Sequence, residues 1–150
     1  KKLIILDWDR PHKFNFNLDY RFRRNEGPTL AGGKWLQDFG LNLTGRFESG
    51  LPYTPTDTRG QRIADENVAR MPSIWQLDLR LDKKFAVGSN KAGLFFEITN
   101  LTNRVNVSDV YTDSGLPLDT RDPTYTEFGK IDPYNLYPQR NIRIGAELEF

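Results

Sequence analysis

His12 is the only histidine in the 150-residue chain, and cysteine is absent. A metal site built on two imidazoles or on thiolates has no ligands here, and a Ser-His-Asp triad would have to assemble around His12 with an unidentified serine. A lone imidazole at the head of a strand is far more often a rim residue than a base. Asp109, Asp113, Asp119, Asp122 and Asp132 fall in one stretch rich in Pro, Tyr and Asn. They are the one oxygen-rich grouping able to hold Ca²⁺ weakly, but they lack the spacing of a calcium loop, and solvated loop charges account for them. No phosphate-cradling glycine pattern and no nucleophile elbow occurs. The reading is of a protein that is not an enzyme and carries no cofactor.

Charge and composition narrow the remaining classes. Lys plus Arg total 21 against 20 Asp plus Glu, a net charge of +1, so bulk electrostatics recruits no nucleic acid. Basic and aromatic residues interleave, but they do so by alternating face, which explains them better than base stacking. Hydrophobic residues make up 37% of the chain and aromatics 13%. No apolar run approaches the roughly eighteen residues of a transmembrane helix. A membrane strand remains open, because its polar and apolar residues average out in any hydropathy sum. Absent cysteine suits passage through an oxidising periplasm. The chain opens on Lys1-Lys2-Leu3 without a leader, as expected of a processed protein or, the reading favoured here, of a piece of something longer.

Five segments alternate apolar and polar residues with period two, the mark of a strand whose two faces meet unlike surroundings. From His12 to Phe22, Phe14, Phe16, Leu18, Tyr20 and Phe22 oppose Asn15, Asn17, Asp19 and Arg21. From Gln37 to Phe47, Phe39, Leu41, Leu43 and Phe47 oppose Asp38, Asn42, Thr44 and Arg46. From Ile74 to Phe85, Trp75, Leu77, Leu79 and Leu81 oppose Gln76, Asp78, Arg80 and Asp82. Gly93 to Leu101 is weaker, since Phe95 interrupts a polar row holding Glu97 and Thr99 opposite Leu94, Phe96 and Ile98. Arg140 to Phe150 sets Ile142, Ile144, Ala146, Leu148 and Phe150 against Asn141, Arg143, Glu147 and Glu149. Leu3 to Leu6 is a candidate end of a further strand.

These strands match the roughly 9–11 residues a tilted membrane strand needs. Their connections alternate in length: moderate at 23–36, long at 48–73, short at 86–92 around Gly88-Ser89-Asn90, and longest at 102–139. Structureless loops beyond roughly 12–15 residues are uncommon in compact soluble domains. Outer-membrane barrels, by contrast, carry short periplasmic turns and long extracellular loops. Counting back from a periplasmic C-terminus puts both long loops outside. Aromatics then form two belts, with Tyr20, Phe22, Trp35, Phe39, Phe85 and Phe150 near the inner rim and Trp8, Phe14, Phe47, Tyr53 and Trp75 near the outer one. Arg21, Arg46, Arg80 and Arg143 all fall in polar rows, where a luminal charge costs little; on the lipid face near the midplane an Arg costs about 2–4 kcal/mol.

The expected fold is thus all-β, an antiparallel up-and-down transmembrane β-barrel in which these five strands are a C-terminal part. Single-chain bacterial barrels begin at about eight strands, so five do not close one.

Several strings add to this. Asp7-Trp8-Asp9-Arg10-Pro11-His12 heads the first strand, and Ser49-Gly50-Leu51-Pro52-Tyr53-Thr54-Pro55 follows the second. Arg70-Met71-Pro72-Ser73 leads into Leu77-Asp78-Leu79-Arg80-Leu81 and Lys84-Phe85. Asn100-Leu101-Thr102-Asn103-Arg104-Val105-Asn106 closes the fourth strand, and Arg140-Asn141-Ile142-Arg143-Ile144-Gly145 opens the fifth. In this order and spacing the chain resembles, over nearly its whole length, the C-terminal barrel strands of TonB-dependent outer-membrane receptors. The nearest variety is the one with an N-terminal carboxypeptidase-regulatory-like domain. The resemblance implies a barrel of about 22 strands, an N-terminal plug, an inner-membrane TonB energy-transducing complex, and uptake of an iron chelate, glycan, peptide or cobalamin. Plug, energy-coupling box and most strands are not in this chain. Phe150, with Leu148 and Ala146, resembles the terminal strand signal read by the outer-membrane assembly machinery.

The expected site residues follow. Phe14, Phe16, Leu18, Leu41, Leu43, Leu77, Leu79, Leu81, Ile142 and Ile144 face outer-membrane lipid. Asn15, Asp19, Asn42, Arg46, Asp78, Arg80, Arg143 and Glu147 face the lumen and its plug. Tyr53, Tyr111, Tyr125, Tyr134 and Tyr137 lie in the extracellular loops, where they would meet ligand or pack on one another. The rival expectations are a soluble β-sandwich binding module with long loops, and a surface-anchor barrel without transport.

Overall fold

Period-two alternation places successive side chains on opposite faces, and the backbone adopts extended structure where that pattern runs longest. The computed structural model describes residues 4–29 and 31–149. Its strands are β1 (Lys13–Arg21), β2 (Phe39–Glu48), β3 (Pro52–Tyr53), β4 (Ala69–Arg70), β5 (Ile74–Val87), β6 (Asn90–Thr99) and β7 (Asn141–Glu149), with a 3-10 turn at Pro133–Asn135. The fold is all-β. Five strands form one antiparallel sheet in the order β1-β2-β5-β6-β7, and β3 pairs with β4. The sheet is open, with β1 and β7 at its edges.

The five long strands are those marked by alternation. β5 and β6 overrun their expected ends because Gly88-Ser89 is a two-residue turn that lets Val87 pair with Asn90. Gly88 has φ +64°, which the first central position of a type II′ turn demands.

Two expectations need correction. Ile4–Leu6 is not a strand (Leu3 lies outside the described residues): Asp9 N–H donates to the Leu6 carbonyl at 2.9 Å, turning the chain there. The long connection at 48–73 is not structureless, because Pro52↔Arg70 and Tyr53↔Ala69 pair within it. Two-residue strands are too short to leave a periodic trace.

The chain divides into two units. The first comprises Lys1–Phe14, Arg46–Trp75 and Arg104–Gln139; the second comprises Asn15–Gly45, Gln76–Asn103 and Arg140–Phe150.

In the second unit the register stacks like on like. Leu79, Ile98 and Ile142 form one cross-strand row, and Leu81, Phe96 and Ile144 the next. On the other face Arg80, Glu97 and Arg143 line up in the same way. Residues directly opposite in an antiparallel pair share a face, so the two faces stay chemically distinct across β5, β6 and β7. The apolar face is uncovered, with Ile144 78%, Leu148 67% and Leu94 52% exposed.

In the first unit the buried apolar residues are Ile74, Val107 and Val110. Three of the strings noted above meet here. Asn67, buried, donates from Nδ2 to Asp7 Oδ1 at 2.6 Å and to the Ile5 carbonyl at 2.7 Å. Asp9 pairs with Arg70, whose Nη1 also donates to the Gly50 carbonyl at 3.2 Å. Arg10 pairs with the buried Glu48 at 2.7 Å. Gly50 lies so close to the Met71 carbonyl that a Cβ would overlap it.

Candidate functional site

The polar face of the second unit carries a cross-strand network. Asn42 Nδ2 donates to Asn17 Oδ1 at 3.0 Å and to Asp19 Oδ2 at 3.3 Å. Arg21 bridges Asp19 at 3.0 Å and Asp82 at 3.3 Å. Asp82 lies against Gly40, where a Cβ would come within 2.7 Å of its carboxylate. Glu97 joins Arg143 at 2.6 Å and Arg80 at 3.3 Å. Asp78 accepts from Gln76 Nε2 at 2.9 Å and from the Asn100 amide at 2.8 Å. Opposite charges thus alternate across strands, and each side chain has a partner on its own face. A shallow hollow of about 210 Å³ opens among Arg21, Arg80, Asp82, Phe95 and Glu147.

Phe95 explains its own break in the alternation. Its ring shares the polar face with Arg80, whose Cζ stands 4.7 Å from the ring centroid, and it covers Gly145, its register partner. On the apolar side Phe16 covers Gly45 in the same manner. An aromatic laid over a strand glycine shields backbone that has no side chain of its own. The gap in the pattern was visible in sequence; its partner was not.

Of the residues expected to face lipid or lumen, Leu79, Leu81, Ile142 and Ile144 share one face of β5–β7, and Arg80, Arg143 and Glu147 share the other. Asn15 is exposed on β1. Leu148 and Ala146 sit on the apolar row of β7, opposite Ala92 and Leu94; Phe150 lies outside the described residues. Lys83 is the exception on the apolar row, paired with Leu94. Its ammonium donates to the Gln37 carbonyl and stands 5.5 Å from the Phe85 ring centroid. It lies toward the Gly88-Ser89 turn, where a long side chain reaches the polar rim while its stem stays among apolar neighbours.

In the first unit the loop tyrosines mostly pack against protein. Tyr111 and Tyr125 meet edge to face at 6.0 Å. Tyr53 Oη abuts Gly115. Arg46, expected in the lumen, lies 6.0 Å over the Tyr137 ring. Tyr134, 88% exposed, and Tyr125, 45% exposed, present themselves to solvent.

The loop aspartates serve turns. Asp113 Oδ2 accepts from Thr120 Oγ1 at 2.6 Å, from Arg121 N–H at 2.7 Å and from Asp122 N–H at 3.1 Å. Partial burial pushes the Asp113 carboxyl up, but these hydrogen bonds together outweigh it and hold the group below its ordinary range. Asp122 Oδ1 accepts from Thr124 N–H at 2.9 Å, Asp132 Oδ1 from Tyr134 N–H at 2.9 Å, and Asp109 Oδ1 from Val110 N–H at 2.8 Å. Asp119 stands 3.8 Å from Lys130. Among the described residues no three acidic or histidine side chains converge on a metal position. His12 contributes backbone: its carbonyl accepts from Ser49 N–H at 2.8 Å, and its N–H donates to Ser49 Oγ at 3.2 Å.

Sequence reasoning missed the buried asparagines. Asn106 Nδ2 donates to the Trp75 carbonyl at 2.8 Å while its Oδ1 accepts from Trp75 N–H at 3.2 Å. The carboxamide thereby acts as a surrogate peptide group for the head of β5. Asn100, 1% exposed, takes φ +55° at the end of β6, a left-handed position that Asn tolerates. Asn103 follows with φ +53° and accepts from Arg140 N–H at 3.1 Å, tying in the start of β7. Comparison with family models, with curated proteins and with solved structures finds no match.

Proposed function

We propose that this chain is part of a transmembrane β-barrel in a bacterial outer membrane, and that the barrel imports a ligand by TonB-coupled, energy-dependent uptake. One observation carries the membrane reading. The apolar face of the five-stranded sheet stays uncovered, while every buried apolar residue among those described lies in the first unit. A sandwich would bury that face under a second layer. Hydrocarbon is the other surroundings in which Ile144, Leu148 and Leu94 lower their free energy. Unpaired edges at β1 and β7 call for further strands, because in lipid each backbone donor and acceptor must be satisfied within the protein. The alternation of opposite charges on the polar face suits a water-filled or plugged interior.

The transport half of the proposal rests on the family resemblance. The polar rows would line the interior against the plug, and the first unit would contribute the outward loops. The test is fractionation followed by uptake. The protein is expected in urea-washed outer membranes, extractable only with detergent, and ligand accumulation by cells carrying it should stop when a protonophore collapses the inner-membrane gradient. A monomer soluble without detergent would end the membrane reading. Accumulation indifferent to the protonophore would end the energy-coupled one, and absence of accumulation would leave the surface-anchor alternative.

A further inference from the structure

β5 runs past the start of β2, so Lys84, Phe85 and Ala86 lie beside the β1–β2 connection rather than beside a strand. The last backbone link there is Lys84 N–H to the Asp38 carbonyl at 2.9 Å. Between the two segments opens a hollow of about 460 Å³, within the roughly 300–1,000 Å³ typical of small-molecule sites. Four cations, Arg24, Lys34, Lys83 and Lys84, line it against one carboxylate, Asp38, and Trp35 and Phe85 flank it. Lys34 and Lys83 are held by carbonyls of Asn25 and Gln37. The Arg24 guanidinium and the Lys84 ammonium make no ion pair among the described residues.

We infer that this hollow binds the phosphate headgroup of an anionic phospholipid. The inference rests on the membrane reading above and assigns it a specific lipid contact. Charge complementarity asks for an anion, since the cations outnumber the carboxylate and two of them have no counter-ion. Position asks for an amphiphile. Lys83 and Phe85 belong to the exposed apolar row that continues through Leu94 and Leu148, and Lys84 to the opposite row with Gly93 and Glu147, so a phosphate held at the open edge of β5 between the two rows has its acyl chains directed along the apolar one. Trp35, with most of its surface exposed, is the amphipathic ring that favours the headgroup level. A free phosphate would use the cations but neither the rings nor the row.

The test uses the intact protein, extracted from its membrane in mild detergent and exchanged into phosphatidylglycerol or phosphatidylcholine. Lipid retained through delipidating washes is then quantified by mass spectrometry. Phosphatidylglycerol should be retained preferentially. Arg24→Gln/Lys84→Gln should reduce that preference by about five-fold per cation, while Arg59→Gln/Arg121→Gln, which removes two exposed cations of the other unit, should leave it unchanged. Equal retention of the two lipids, or an equal loss in both variants, overturns the site while leaving the barrel reading intact. Displacement of phosphatidylglycerol by excess inorganic phosphate alone overturns the lipid as its occupant. Recovery of the protein without detergent overturns both readings together.

Discussion

Phe95 lies over Gly145, its partner in the β6–β7 register, so closely that a β-carbon at residue 145 would occupy the volume of the ring. Arg80 covers the same ring from β5 at 4.7 Å, so one aromatic links three strands on the polar face. Gly145→Ala should therefore destabilise the sheet by about 1–3 kcal/mol, the usual cost of overpacking. In a Phe95→Ala background the same change should cost little, since the clash has gone. A double-mutant cycle from urea unfolding in detergent or lipid checks this; additive effects would show that the ring and the glycine are not coupled.

Ile144 separates the membrane reading from the soluble one more sharply than any buried residue. It is 78% exposed and sits mid-strand on the apolar row, opposite Phe96. On a water-facing surface Ile144→Arg would change stability by no more than about 0.5 kcal/mol. At a bilayer midplane it should cost about 2–4 kcal/mol. The expected outcome is a sharp fall in folded protein in the outer membrane, seen as loss of the heat-modifiable band, with Glu147→Gln on the polar row close to wild type. Wild-type assembly of Ile144→Arg would mean that the face does not meet lipid.

Asn106 holds the head of β5 through two opposed hydrogen bonds to Trp75, and is buried. Asn106→Asp keeps the shape but replaces a donor with a carboxylate aimed at a carbonyl. An unsatisfied buried acceptor costs about 1–3 kcal/mol, and more where it is charged. Limited proteolysis should then cut within 104–139 much faster than in wild type, while cleavage within β6 and β7 stays slow. Uniform acceleration along the chain would show that the contact supports global rather than local structure.

These predictions also mark what was legible in advance. The rows Leu79–Ile98–Ile142 and Arg80–Glu97–Arg143 follow from period two, because pleating separates the faces at every step and the two faces carry unlike residues. Gly88-Ser89 declared itself through turn chemistry. Asn67 and Asn106 did not, since each acts through long-range contacts (Asn67 to Ile5 and Asp7, Asn106 to Trp75) and a single polar residue has no period to betray it. The strings around Asp9, Gly50 and Arg70 were visible as a set, yet their meeting depends on chain closure over about sixty residues, which local pattern does not encode. Asp113 looked like one of several solvated loop charges; its Thr120, Arg121 and Asp122 donors come from seven to nine residues onward.

That carboxylate gives the loop a defined response to acid. The Asp113 hydrogen bonds favour the anion and hold its carboxyl below the ordinary 3.8. With the folded value lower than the unfolded one, its contribution is complete above the unfolded value and is lost as pH falls through the folded one. The amides of Arg121 and Asp122, which donate to Oδ2, report this directly. Their hydrogen-exchange protection, corrected for intrinsic rates, should be flat near neutrality and fall only below the ordinary carboxylate range. Asp113→Asn should lower protection at neutral pH and abolish the acid step, because a neutral carboxamide still accepts but makes weaker bonds than a carboxylate. Equal protection of these amides in wild type and Asp113→Asn at neutral pH would show that the Asp113 carboxylate does not anchor the loop.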